Sequence, residues 1–450
     1  MIVSRRLLLR GLAGGVASGL LAQSRKPNIV LIVADDLGNQ DMGFQGSPDL
    51  RTPHLDGLAA SGVRFTNGYV SHPFCSPTRA ALLTGRYQQR FGHENNMVFN
   101  QQDPLTGLPL TETTLADALG KAGYMTGLVG KWHLGAHEKF HPRKRGFQEM
   151  YGFVGGGHDY FHPGVPGDKD QHFIPIERDG VVVPEKEYLT TALGREAEAF
   201  VRRHAARPFF LYLAFNAPHS PLQAPQAYLR KFAHIQDPDR RSYAAMVGAM
   251  DDAVGRVLLG LRETNNEQNT LVFFLSDNGG PRDNASSNKP FRGTKRTVYE
   301  GGVRVPFALR WPAAVAGGRM VEDPVICMDI FPTALAAAGA KHTGKALDGV
   351  NLLPWLQGKA AAPRRPLYWR MFGGVEGAVR DGQMKWVKPG AGKAPELYDL
   401  ASDKEEKNNL AGVRPEEAAR LEKLWGKWSG EMAAPAWLDH IFDKERLGHK

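Results

Sequence analysis

"NIVLIVADD", residues 28–36, is a run of six apolar residues that stops abruptly at two aspartates, Asp35 and Asp36. A short β-branched run without apolar–polar alternation reads as a strand buried on both faces, and such strands belong to parallel sheets covered by helices. Three further runs have the same form. "YMTGLVGKWH" (124–133) ends in Lys131 and His133, "PFFLYLAFNAPH" (208–219) in His219, and "TLVFFLSDN" (270–278) in Asp277 and Asn278. Between the runs, "TPHLDGLAASG" (52–62), "TTLADALGKAG" (113–123) and "YAAMVGAMDDAVGRVLLGLRE" (243–263) repeat apolar residues at helical spacing. The predicted fold class is α/β: a doubly wound, mostly parallel sheet between helices. In such sheets ligands gather beyond the carboxyl ends of the strands, so all four polar ends are expected at one edge.

Toward the C-terminus the texture changes. The Ala/Gly/Pro/Arg segment near 358–366 marks a boundary, after which "LYWRMFGGVEGAVRDGQMKWVKPGAGKAPELYDL" (367–400) breaks into short aromatic and β-branched pieces between glycine-rich turns. An amphipathic pattern then begins near Pro415. These features predict a smaller antiparallel sheet packed with a helix, and they divide the chain into a large domain at 25–357 and a C-terminal subdomain at 358–450.

Residues 1–24, "MIVSRRLLLRGLAGGVASGLLAQS", join a twin arginine (Arg5, Arg6) to a short apolar run and small residues. They read as a twin-arginine export signal cleaved near Ala22, which implies a periplasmic or extracellular protein. The run is too short and too glycine-rich for a membrane anchor, and no later stretch is long and apolar enough to span a bilayer, so no stable membrane insertion of the mature protein is expected. Of the formal charge of +9, three units (Arg5, Arg6, Arg10) leave with the signal, and what remains is still basic. Such a protein favours anionic partners, whether sulfated polysaccharide, anionic lipid or nucleic acid. No zinc-finger spacing or basic helix singles out nucleic acid, which is not expected as a partner.

Asp35, Asp36, Asp277 and Asn278 offer three carboxylates and an amide oxygen. Hard oxygen donors suit Ca²⁺, and after it Mg²⁺, better than Zn²⁺. Either pair alone reads as a polar loop or an Asn-Gly turn; two pairs at strand ends on one edge read as a cation site. There are two cysteines, and Cys327 in "PVICMDIFPT" (324–333) reads as a buried small hydrophobe. Cys75 opens "CSPTRAALLTGR" (75–86), where Ser76, Pro77 and Thr78 mark a helix start that places Cys75 at or near the N-cap. Arg79 follows one helical turn later, so helix amides and an arginine both favour an anionic group beside residue 75. A helix start also lowers a thiol pKa, but soft sulfur is mismatched to a hard cation, and an oxygen nucleophile made from Cys75 fits better than a thiolate.

"CSPTRAALLTGR" carries C-x-P-x-R and resembles the signature of the type I sulfatases, in which the cysteine is oxidised to Cα-formylglycine. The resemblance extends through "NIVLIVADDLG" (28–38), "GKWHLG" (130–135), "APHSP" (217–221), "SDNGG" (276–280), "GTKRTVYEGGVRVP" (293–306) and "ELYDLASDKEEKNNL" (396–410), nearly the whole chain after the signal. The general flavour is similar to the arylsulfatase and N-acetylgalactosamine-6-sulfatase group. The resemblance implies the alkaline phosphatase-like fold and a Ca²⁺ site of Asp35, Asp36, Asp277, Asn278 and modified Cys75. It also implies roles around the sulfate for Arg79, Lys131, His133, His219 and Lys295, and it makes a formylglycine-generating enzyme a maturation partner.

What the resemblance implies chemically is a hydrated aldehyde, whose one hydroxyl attacks sulfur and whose other, once deprotonated, expels sulfate. Arg79, Lys131 and Lys295 are expected to hold sulfuryl oxygens, His219 to protonate the departing alcohol and His133 to assist sulfate release. "FGHENN" around His93 and "GGGHDYFHPG" around His158 and Asp159 are candidates for a sugar pocket, with a glycine-rich surface loop as the alternative. The expected substrate is a sulfate monoester on a sugar of an anionic polysaccharide or glycosaminoglycan. Two other readings stay open: a phosphonate monoester or phosphodiester hydrolase of the same superfamily, and a non-catalytic binding protein for sulfated glycan whose Cys75 is never modified.

Overall fold

The computed structural model of the chain describes residues 25–162, 164–165 and 172–438, so the export-signal segment lies outside the described residues. The strands run, in chain order, β1 (Asn28–Ala34), β2 (Val63–Phe65), β3 (Gly68–Tyr69), β4 (Met125–Lys131), β5 (Glu149–Phe153), β6 (Glu177–Arg178), β7 (Val181–Val182) and β8 (Phe209–Ala214). They continue as β9 (Thr270–Ser276), β10 (Phe307–Arg310), β11 (Arg319–Val321), β12 (Val325–Ile326), β13 (Leu367–Met371), β14 (Glu376–Asp381), β15 (Met384–Lys388) and β16 (Glu396–Asp399).

Ten of these form one mixed sheet in the order β11-β2-β10-β9-β1-β8-β4-β5-β6-β7. Its centre, β9-β1-β8-β4-β5, is parallel throughout. Every residue of β1, β4, β8 and β9 is buried, as unbroken apolar runs require. Two helical layers supply the cover: Pro53–Ala60, Leu189–Arg203 and Pro238–Glu263 pack together in one, and Cys75–Thr84, Leu115–Lys121 and Ile330–Ala337 in the other. Each predicted helix forms. The third starts earlier than its apolar pattern, at Pro238, because the Asp237 side chain accepts from the Arg240 amide and caps it there. The sheet is mixed and mostly parallel, as expected, with β10 antiparallel to both of its neighbours.

The second sheet, β13-β14-β15-β16, is antiparallel, and the helix Pro415–Gly430 packs on β13, β14 and β15 through Leu421, Trp425 and Trp428. Trp428 stacks on Tyr368 at 4.8 Å, and the Trp425 indole donates to the Trp369 carbonyl at 2.9 Å. A buried ion network joins this sheet to the short helix Glu300–Val303 and to β3. Lys385 on β15 pairs with Glu300 at 2.8 Å and Glu406 at 2.9 Å, and all three side chains are sealed from solvent. Tyr69 and Arg304 complete the shell of Glu300 at 2.7 and 3.1 Å, and Arg380 donates to Tyr69.

Beyond the last helix, residues 433–437 run back over the loop that follows the helix Cys75–Thr84. Ala433 and Ala436 amides donate to the carbonyls of Gln89 and Gly92 at 3.0 and 2.8 Å. Trp437 and Asn95 exchange side chain to backbone hydrogen bonds at 3.0 and 2.9 Å.

Candidate active site

Register brings the polar strand ends into line. Ala34 is level with Ser276, Val33 with Ala214, and Ala214 with Gly130, so Asp35, Asp277 and Lys131 emerge side by side. The Asp35 amide donates to Ala217 at 3.1 Å and the Asp277 amide to Ala34 at 3.0 Å, extending the ladder by one residue at that edge. Gly130 has φ +114°, and a Cβ there would lie 1.9 Å from the Ala214 carbonyl oxygen. Only glycine permits so close a strand approach immediately before Lys131. Asp36 (φ +63°), His133 (φ +56°) and Arg296 (φ +73°, next to Lys295) all take left-handed backbone, a conformation unusual for side chains other than glycine. The chain turns sharply at three of the positions that present polar groups, and such strain gathers at functional sites.

Cys75 is the first residue of its helix, after an N-cap at Phe74 that makes no side-chain cap. The whole helix is buried, and the Cys75 side chain sits with Sγ 3.5 Å from Asp35 Oδ1 and 4.0 Å from Asp36 Oδ1. Burial pushes the Cys75 thiol far above the ordinary range despite nearby lysines, so sulfur here is a neutral thiol, and a plain thiolate nucleophile is disfavoured.

Each carboxylate has its own cation. Lys131 Nζ is 2.5 Å from Asp35, and Lys295 Nζ is 2.6 Å from Asp36 Oδ1. Arg79 donates from Nε and Nη2 to Asp277 Oδ2 at 3.0 and 2.8 Å. Burial and neighbouring Asp35 raise Asp277 to about 6, whereas the charges of Lys295 and His219 overcome burial and hold Asp36 well below the carboxylate range. The remaining Arg79 nitrogen donates to the Lys131 carbonyl at 3.3 Å and the Tyr212 hydroxyl at 3.4 Å, and the side chain is wholly buried. Arg79 thus anchors Asp277. Its same-side placement was visible in helical spacing; its partner 198 residues away was not.

His219 Nδ1 is engaged by the Ser220 carbonyl at 2.6 Å, which leaves Nε2 turned toward Asp36 Oδ2 at 3.6 Å. Burial lowers His219 to about 4, Lys295 and Lys131 adding to the effect against Asp36. The Tyr160 hydroxyl, bridging the carbonyls of Asn216 and His219 at 2.9 and 2.8 Å, fixes this loop. Burial and the charges of Lys131, Arg79 and Lys295 hold His133 far below its usual value, and its Nδ1 has no partner among the described residues.

The structure therefore brings Asp35, Asp36, Cys75, Arg79, Lys131, His133, His219, Asp277, Asn278 and Lys295 to one sheet edge. His93, His158 and Asp159 do not line an open pocket as expected. His93 is fully buried, 2.6 Å from the Ser76 hydroxyl and edge-on to Trp437 at 4.7 Å. Both His158 nitrogens meet backbone carbonyls, Asp159 at 2.5 Å and Ile174 at 2.8 Å. Asp159 accepts from the Phe161 and His162 amides and from Gln223. The polar atoms of His158 and Asp159 are spent on holding a loop. Tyr212 was missed because a tyrosine inside an apolar run reads as core, and Tyr160 because attention in "GGGHDYFHPG" fell on its neighbours His158 and Asp159.

The donor set fits a hard divalent cation. Asp35, Asp36, Cys75 and His219 each place a ligand atom within 4.8 Å of the others, and Asn278 Oδ1 is buried without a partner, an orphan acceptor at the same edge. The charge balance agrees: three carboxylates against Arg79, Lys131 and Lys295 come out even, so a divalent ion would leave the pocket positive.

Residues 27–340 match the family described as Sulfatase, and residues 293–427 match that described as N-sulphoglucosamine sulphohydrolase, C-terminal. The chain is 37% identical over 405 residues to N-acetylgalactosamine-6-sulfatase of Canis lupus familiaris, covering 84% of this chain and 74% of that one. It is 35% identical over 472 residues to human Arylsulfatase A, covering 93% and 90%. The crystal structure of Ps i-CgsB in complex with k-i-k-neocarrahexaose superposes with a TM-score of 0.88 at 38% identity, covering 94% of this chain and 97% of that one.

Proposed function

Since the chain belongs to the sulfatase family, and is thereby a sulfuric ester hydrolase, we propose that it removes sulfate from a sugar of an exported-side sulfated polysaccharide, using formylglycine made from Cys75 and a bound Ca²⁺. The observation that carries this reading is the convergence of three carboxylates, three cations and an orphan amide oxygen around a buried, unreactive thiol. Ps i-CgsB, to which the chain is similar, is seen in complex with k-i-k-neocarrahexaose, and the basic net charge suits a polyanion. Among the described residues no helix is long and apolar enough to cross a membrane, which is compatible with release after export.

Asp35, Asp36, Asp277 and Asn278 would hold the cation, which supplies Lewis acidity and positive charge at the sulfate. Formylglycine, once hydrated by one water, would supply two hydroxyls on one carbon, one for attack on sulfur and one whose deprotonation releases sulfate and restores the aldehyde. The chain's own groups do the rest. Arg79 holds Asp277 in place through two N–H groups that converge on its Oδ2. Lys131 and Lys295 each carry three N–H donors, and those not given to Asp35 and Asp36 serve the sulfuryl oxygens. His219, its Nδ1 fixed by Ser220, presents Nε2 to the departing alcohol, taking up its proton as the anionic substrate arrives. His133, kept neutral, accepts the proton whose loss releases sulfate.

His219→Ala is expected to slow a sugar sulfate, a poor leaving group, by about 10²-fold, and a nitrophenyl sulfate by less than tenfold, because only the former needs its proton supplied. Equal losses on both would remove His219 from the general-acid role. Ca²⁺ is expected to raise the melting temperature of chelator-treated protein. At a hundred times its dissociation constant it adds about 2.7 kcal/mol, and Asp36→Asn should abolish most of the rise. The decisive assay compares fully matured protein on an aryl sulfate and the matching phosphodiester, then on defined sulfated oligosaccharides. A faster phosphodiester reaction would replace sulfate by phosphorus chemistry, and no turnover at all would favour a glycan-binding role.

A further inference from the structure

We propose that the cleft between the loop at 101–102, the turn at 136–144 and the β6–β7 hairpin is a second carbohydrate site, which holds a unit of the substrate chain other than the one that loses sulfate. This rests on the sulfatase reading and extends it to residues outside the set gathered at the catalytic edge.

The cleft has a volume of about 640 Å³, inside the range of about 300–1,000 Å³ that small-molecule sites occupy. Its walls are fastened to the catalytic strand end. Phe153 on β5 is level with Lys131 on β4, and the next residue, Val154, forms part of the cleft and accepts from the His133 amide at 3.3 Å. The Trp132 indole donates to the Phe140 carbonyl at 2.9 Å, which ties down the turn carrying His137 and His141. The Leu108 amide donates to the Leu134 carbonyl at 2.9 Å and does the same for the loop carrying Gln101 and Gln102. Trp132, His133 and Leu134 directly follow Lys131, so a polymer seated at the sulfate position and running past His133 enters this cleft.

The lining selects the occupant. Two of its acids are already matched, Glu177 by His141 at 3.0 Å and Asp179 by Arg143 at 2.8 Å. His137 Nδ1 accepts from the Lys139 amide at 3.3 Å, so the proton of the neutral ring sits on Nε2 and the ring presents a donor. The Lys144 ammonium and the side-chain amides of Gln101 and Gln102 have no partner among the described residues, and Glu138 adds one carboxylate. Alanine and valine, at 136 and 154, are the apolar side chains of the lining, too little to bury an apolar ligand. Several donors beside a single unmatched acid suit the hydroxyl and sulfate oxygens of a sugar unit.

The test uses carrageenan and chondroitin sulfate oligosaccharides of two and six sugars. In wild type, kcat/KM should be about tenfold higher on the hexasaccharide than on the disaccharide, mainly through KM. Combining His137→Ala with Lys144→Ala should bring that ratio close to one, and His137→Gln, which keeps a donor, should retain most of it. Calorimetric binding of the hexasaccharides to Cys75→Ala protein should weaken about tenfold when the same double substitution is added. A wild-type rate independent of length, or a length dependence that survives the double substitution, would overturn the proposal. Wild type inactive on these esters and on nitrophenyl sulfate would instead defeat the sulfatase reading. The calorimetric arm then still decides the cleft: equal binding with and without the substitutions, or no binding, would remove it as a carbohydrate site.

Discussion

Cys75→Ala should lose on the order of 10⁴-fold or more in turnover on any sulfate ester while keeping its melting temperature within a few degrees. Cys75 is the thiol that stands at the convergence of Asp35, Asp36, Lys131 and Lys295. Sγ is small, and its removal from beside the carboxylates leaves the surrounding ion pairs intact. The unmodified cysteine form should be as inactive as the alanine variant, because burial keeps the thiol protonated. Active wild type should weigh about 18 Da less than the cysteine form, the difference between a thiol-bearing side chain and an aldehyde. Full activity from protein of unmodified mass would sink formylglycine chemistry here.

The second large effect lies away from the catalytic edge. Lys385→Met should lower stability by about 3–5 kcal/mol, since it leaves the carboxylates of Glu300 and Glu406 buried together without the cation between them. Glu300 retains Arg304 and Tyr69, whereas Glu406, which burial raises to about 7, retains the Glu300 amide. Adding Glu406→Gln should therefore recover part of the loss, a coupling that urea unfolding of both single variants and the double variant measures. Strict additivity would show that the three groups act separately. Because Glu300 follows Lys295 by five residues, softening of this network should also reduce the affinity for sulfate esters before the protein unfolds.

The central sheet was legible because β1, β4, β8 and β9 are buried on both faces, and only such burial produces apolar runs without alternation. Their abrupt polar ends made the catalytic edge legible too. What escaped was whatever depends on pairing at long range. Short β2 and β10 carry too few residues to declare an antiparallel pairing. The helix Leu189–Arg203 had no turn signal strong enough to set it apart from its surroundings. The arrest of Arg79 on Asp277 and the seating of His172 beside Gly157 are set by tertiary contacts that no local pattern announces. His158 and Asp159 attracted notice as polar residues after three glycines, yet the fold uses them as fasteners.

The strap formed by residues 433–437 also sets a clock. During synthesis at about 5–20 residues per second, the end of the chain emerges roughly 20–70 s after residue 75, and until β9 and then the strap arrive, neither the sheet edge nor the loop around His93 can close over the start of the cysteine helix. Afterwards the side chain is 1% exposed and out of reach of another protein. If Cys75 is converted to formylglycine by another protein, as proposed, that oxidation has to precede folding, and a slower ribosome or a weakened strap should widen the window for it.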